Sequence, residues 1–106
     1  MKPSEHRFPT EETVQKASVI LKALADPTRI KILHLLSQEA CSVGHIADVL
    51  GMSQSAVSHQ LATLRNVQLV GYRRQGQTVY YSCKDDHVIT MLRQLIEHAE
   101  HQEEKS

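Results

Sequence analysis

Residues 43–66 read VGHIADVLGMSQSAVSHQLATLRN, and the organisation of the whole chain follows from them. Gly51 and Met52 separate two runs with helical spacing, and a serine stands before each run, Ser42 and Ser53. A serine hydroxyl that accepts from an amide one turn ahead starts a helix, and a glycine past the last periodic residue stops one. The spacing predicts a helix over 43–50, a tight turn, and a second helix over 54–66: a helix-turn-helix. Ala47 provides the small side chain that lets the second helix cross the first closely. Val57, Leu61 and Leu64 recur at core spacing in that second helix, while Gln54, Ser55, Ser58 and His59 crowd the outer face of its first turns. Hydroxyls, an amide and an imidazole placed there suit base edges and phosphates in a major groove, and the helix N-terminus adds amide donors. On an isolated helix such residues are more often merely solvated, so the reading depends on what surrounds them.

Downstream, Tyr72-Arg73-Arg74 and Thr78-Val79-Tyr80-Tyr81-Ser82 flank Gln75-Gly76-Gln77, and β-branched and aromatic residues around a glycine turn predict a two-stranded hairpin over 70–82. Its tip (Arg73, Arg74, Gln75, Gly76, Gln77) is basic and bent, as a wing lying along a DNA backbone would be. The formal charge of the 106 residues is zero, but its distribution is not even. Pro27 to Lys84 carries six basic residues against two acidic ones, a local +4, and the flanks carry the compensating −4.

Upstream, Thr10 or Thr13 can start a first helix bearing Val14, Ala17, Ile20, Leu21 and Leu24. Asp26-Pro27 then closes it and opens a second that turns Ile30, Leu33 and Leu36 inward. A last helix spans 86–102. The expectation is one mainly α domain over 1–106 with a small β-hairpin, a winged helix-turn-helix, flexible at 1–9 and 103–106. No apolar run is long enough to span a bilayer. The first nine residues lack an apolar signal core, and two cysteines make no disulfide framework, so a cytoplasmic location is expected.

The last helix carries a second pattern. His98 and His101 share one face, while His87 precedes His98 by three turns, about 16 Å along the axis. Zinc–nitrogen bonds of about 2.0–2.1 Å forbid one ion from joining His87 and His98 of the same helix. Asp85 can join His87 but not the distant pair. Val88, Leu92, Leu95 and Ala99 step by 4, 3 and 4, a coiled-coil seam that would let two copies of the helix pack antiparallel. Asp85 and His87 of one chain would then meet His98 and His101 of the other, giving two sites per dimer with one carboxylate and three imidazoles each. Such a set suits zinc(II) or cobalt(II).

The stretch Leu24-Ala25-Asp26-Pro27-Thr28-Arg29-Ile30-Lys31-Ile32-Leu33 resembles the second-helix signature of the ArsR/SmtB metal-sensing repressors. Ser53 to Leu61, followed by Leu64, resembles their recognition helix, and Arg73 to Gln77 their wing. The pattern Asp85-x-His87 with His98-x-x-His101 is similar to the last-helix site of the zinc- and cobalt-responsive branch. The resemblance covers about residues 10–102. It implies a homodimer held by the first and last helices, operator DNA as partner, metal-induced release of that DNA, and control of a zinc exporter. The family's other site depends on closely spaced cysteines in the third helix. Here that stretch reads Ala40-Cys41-Ser42-Val43-Gly44-His45, with glycine at the second cysteine's position, which argues against thiolate sensing there.

Cys41 and Cys83 read as packing residues, and His34 and His45 have no ligand partner at useful spacing. Nickel as the ligand, and a thiol redox signal at Cys41 or Cys83, stay open within the same fold. A zinc-binding dimerisation module without DNA affinity stays open outside it. An enzyme is not expected, because four protein ligands leave no open metal position and no acidic residue orients His59 for catalysis. Neither a membrane nor a small organic substrate is expected as a partner.

Overall fold

The computed structural model describes residues 6–105, with side chains through Glu103. Five helices and three strands follow in the order α1 (Glu11–Leu24), α2 (Pro27–Leu36), β1 (Cys41–Ser42), α3 (Val43–Leu50), α4 (Gln54–Asn66), β2 (Val70–Gln75), β3 (Thr78–Cys83) and α5 (Asp86–Lys105). This is the expected mainly α winged helix-turn-helix.

The caps set these boundaries. Thr10, Asp26, Ser42 and Ser53 each accept from the backbone N–H three residues ahead, which satisfies a donor the helix leaves unpaired. Pro27 takes the first position of α2, and Gly51 ends α3 in the left-handed region at φ 65°. Gly76 turns the wing at the same φ.

Ile32, Leu33, Ile46, Val57, Leu61, Leu64 and Leu92 are fully or almost fully buried and form one core with Leu36, Ala47, Leu69, Val70 and Val88. Truncating one of the large residues to alanine would cost about 2–5 kcal/mol through lost burial and the cavity left behind. Helices α2, α3, α4 and α5 all contribute. Helix α1 buries only Ala23 and Leu24 at its end, with Ile20 packed half-buried against the core; Val14 and Leu21, also expected on an inward stripe, are exposed.

The sheet is larger than the expected hairpin. Strand β3 lies centrally, paired antiparallel with β2 from Val70↔Cys83 to Gln75↔Thr78, and β1 adds Cys41↔Tyr81 and Ser42↔Tyr80 on its other edge. The residues just before α3 are therefore hydrogen-bonded to the wing. The last helix is also longer than expected. It continues through Lys105, three residues past the expected end at 102. Residues 6–9 have no regular secondary structure, and the remainder of the expected N-terminal tail lies outside the described residues. Among the described residues no helix is long and apolar enough to cross a membrane.

Candidate functional site

The reading head is built on α4. Ser53 Oγ accepts from Ala56 N–H at 3.1 Å and fixes the first turn, and Val57, Leu61 and Leu64 bury the inner face. Gln54, Ser55, Ser58 and His59 are consequently exposed together on the outer face. At the far end of α4, the Arg65 guanidinium sits 4.7 Å from the Tyr72 ring centroid, and Tyr72 lies 5.7 Å from Tyr81. These contacts seat the wing against the helix. The wing tip, Arg73 to Gln77, is exposed throughout, with Arg73 resting 5.8 Å from the Tyr80 ring and 3.5 Å from Gln75 Oε1. No acidic residue occurs between Gly51 and Cys83, so the exposed helix face and wing present only neutral and positive groups. That combination is chemically suited to a phosphate backbone flanking a groove.

Asp85 and His87 come together at the start of α5. Asp85 Oδ1 accepts from the backbone N–H of His87 at 2.9 Å and of Val88 at 3.2 Å, and it lies 3.5 Å from His87 Nδ1. Two ligands on one tetrahedral zinc are about 3.3 Å apart, so this pair already has the spacing of a shared ion. The His87 ring is fully exposed. His98 and His101 are exposed on the same continuous helix, three turns on, with His98 Nε2 3.3 Å from Gln102 Nε2. One chain therefore brings Asp85 to His87 but does not bring either to His98 or His101.

The expected seam needs correction. Val88 and Leu92 are only 8% and 2% exposed because α5 lays them on the chain's own core, so they are not free to face a second helix. Leu95 is 54% exposed and Ala99 is also exposed, with Met91 exposed on the same side. At 100° per residue the Met91–Leu95 strip runs beside the histidine flank of α5. A concavity of about 700 Å³ opens next to Asp85, lined by Lys16, Val19 and Ile20 of α1 and by Gln68 and Leu69.

A further group was missed in the sequence. Glu39, Cys41 and His45 place one ligand atom each within 4.8 Å of one another, with Glu39 Oε1 3.4 Å from His45 Nε2. His45 thus has partners, contrary to expectation. Only an alternating Glu-x-Cys-x-x-x-His could have signalled them, a spacing that crosses from a turn through a strand into a helix. Cys41 itself is buried, as expected of a packing residue, and burial with the nearby Glu39 charge pushes its thiol up. The half-buried Cys83 donates to Leu33 O at 3.6 Å, and burial pushes its thiol up to about 11.

Comparison with known proteins agrees with this architecture. Residues 26–72 match the profile of the bacterial regulatory proteins of the arsR family. The chain is similar to the transcriptional repressor SmtB homolog of Synechocystis sp., 40% identical over 87 residues, covering 82% of this chain and 66% of that protein. It is also similar to the transcriptional regulator NmtR of Mycobacterium tuberculosis, 45% identical over 92 residues, covering 87% of this chain and 76% of that protein. Among solved structures, the homodimeric winged helix-turn-helix DNA-binding domain Mb0332 of Mycobacterium bovis superposes with a TM-score of 0.83 at 27% identity. That match covers 95% of this chain and 96% of the other.

Proposed function

The chain belongs to the arsR family of bacterial regulatory proteins, and from that premise we propose that it is a homodimeric repressor whose DNA binding is relieved by zinc(II) or cobalt(II). One observation carries the reading: Asp85 and His87 stand 3.5 Å apart at one end of α5, and the histidines that would complete a four-ligand set stand at its other end. Only a second chain running the opposite way supplies both halves. The concavity beside Asp85 and the exposed apolar residues of α1 (Val14, Val19, Leu21) and α5 (Met91, Leu95) favour that partner helix. The homodimeric Mb0332 domain and the SmtB-homolog repressor support the dimer and the sign of regulation.

In this dimer Gln54, Ser55, Ser58 and His59 read the major groove, and Arg73, Arg74, Gln75, Gly76 and Gln77 follow the phosphates. The two α4 helices lie one DNA turn apart. Asp85 and His87 join the partner's His98 and His101 at each of two sites, and the bound ion supplies a crosslink between the two α5 helices. Release follows if that crosslinked geometry no longer presents both heads to successive grooves. By linkage, DNA must then weaken metal binding by the factor that metal weakens DNA binding. A coupling of about 1.4 kcal/mol gives a tenfold effect. In this reading Gln68, which lines the concavity beside Asp85, takes a hydrogen bond from a histidine of the set and so reports occupancy to the end of α4.

The experiment is fluorescence anisotropy of an operator-like duplex titrated with chelated protein, then with one zinc per chain, for wild type and His98→Ala. The reading predicts release by zinc from wild type only. DNA binding that zinc leaves unchanged overturns the proposed inducer, and absence of DNA binding overturns the repressor.

A further inference from the structure

We propose that Gln60, held by Arg29, is a positioning residue for DNA recognition: the bond between them sets the rotation of α4 against α1 and so aims the reading face. The inference rests on the reading of α4 as the element that addresses the major groove.

Arg29 is itself held at both ends. Its backbone N–H donates to Asp26 Oδ2 at 2.9 Å in the first turn of α2. Its guanidinium then divides between two other helices. Nε and Nη2 donate to Ala23 O at 2.7 Å and Lys22 O at 3.4 Å, at the end of α1, where helix carbonyls lack partners within the helix. Nη1 donates to Gln60 Oε1 on α4 at 3.2 Å. A planar guanidinium holds such acceptors in a fixed mutual geometry, which an ammonium does not.

Gln60 stands where that bond has leverage. It is half-buried, between exposed His59 and buried Leu61, on the boundary of the reading face. Val57, Leu61 and Leu64 press the inner face of α4 onto the core, but apolar burial is non-directional and sets rotation about the helix axis only loosely. At a helix radius of about 5–6 Å, a rotation of about 20° carries an outer-face atom about 2 Å. Hydrogen bonds to base edges hold over a window of only about 0.5 Å. A directional bond to Gln60 therefore decides whether Ser55, Ser58 and His59 arrive in register. At the other end of the clamp, Leu21 is exposed beside Lys22, on the helix proposed to meet a second chain. The reading face thus takes its bearing from the dimer helix.

The test uses the full-length, metal-free protein and fluorescence anisotropy with two duplexes, the operator-like one and a scrambled one of equal length and composition. The readout is the ratio of their dissociation constants, with urea midpoints showing that each variant is folded. Gln60→Ala should lower the ratio at least about fivefold, the smaller end of what one base contact discriminates. Affinity for the scrambled duplex should stay within about twofold, since phosphate contacts carry it. Gln60→Glu keeps an acceptor for the guanidinium and should recover the ratio, because its added charge weakens both duplexes alike. Arg29→Lys should lower the ratio as Gln60→Ala does, and the double variant should lose no more than either alone. A discriminating wild type with an unchanged ratio in Gln60→Ala overturns the proposal. So does a ratio lost in Gln60→Ala and Gln60→Glu but intact in Arg29→Lys, which would make Gln60 a base contact in its own right. A wild type that binds both duplexes equally overturns the repressor reading itself, before any variant is compared. Zinc is absent throughout, so the identity of the inducer does not enter.

Discussion

Arg29 Nη1 donates to Gln60 Oε1 at 3.2 Å, and so ties the first turn of α2 to the middle of the reading helix. The same guanidinium donates from Nε to Ala23 O at 2.7 Å and from Nη2 to Lys22 O at 3.4 Å, taking up carbonyls at the end of α1. The helix expected to face a partner chain and the helix expected to face DNA are thereby joined through one side chain.

Arg29→Ala should lower unfolding free energy by about 1–3 kcal/mol, because it leaves part-buried acceptors unmatched. Arg29→Lys should recover little of it, since an ammonium cannot spread its donors in the planar fork that reaches three acceptors. Urea denaturation of both variants measures this. Gln60→Ala should cost less than Arg29→Ala, because it removes one of the three contacts.

Gln68 adopts φ 61°, in the left-handed region, at the connection between α4 and β2. A side chain there costs about 1–2 kcal/mol. Gln68→Gly should therefore raise the urea midpoint, offset in part by the extra freedom glycine gives the unfolded chain. Gly51→Ala should lower the unfolding free energy by about 1 kcal/mol. Space beside Gly51 is open, so the loss there is one of backbone conformation and not of clash.

Asp85 has two tasks that substitution can separate. Asn caps helices about as well as Asp, so Asp85→Asn should keep thermal stability close to wild type while weakening zinc binding. Asp85→Ala should lose the cap as well, at about 1 kcal/mol. Calorimetric zinc titration paired with thermal unfolding reads the two effects independently.

Burial holds the Cys83 thiol up at about 11, against an ordinary 9.0, with Arg93 pulling it down and Asp86 pushing it up to smaller extents. Between those values the unfolded chain has released a proton that the folded chain retains. The contribution is therefore complete below about pH 9 and is lost as pH rises toward 11. Urea midpoints across that window should fall more steeply for wild type than for Cys83→Ala. Alkylation of Cys83 should be slow at neutral pH.

The helix-turn-helix was legible because Ser42, Ser53 and Gly51 are local signals that act within one turn, and each acts in the structure as read. Strand β1 was not legible. Two residues carry no periodicity, and its partner Tyr81 lies on the far side of the wing. The α5 seam was misread for a different reason. A 4-3-4 spacing marks a buried stripe without saying whose core buries it, and Val88 and Leu92 face their own chain. Asp85 and His87 were found together because two residues at a helix start are neighbours whatever the tertiary fold. Glu39, Cys41 and His45 meet only after a turn, a strand and a helix have each taken their conformations.

The β1–β3 rung has a mechanical consequence. Fastened to the wing at Cys41 and Ser42, the start of α3 is tied to the hairpin, so the groove reader and the phosphate follower are expected to move together. In the proposed dimer, a rotation imposed at the α5 end would then carry both DNA-facing elements with it. A head whose reading helix sits about 17 Å from the twofold axis, half of one DNA turn, moves about 3 Å when it swings by about 10°. That is close to the rise of a single base pair, about 3.4 Å. A small hinge at the subunit boundary is enough to put both readers out of step with the helix they straddle.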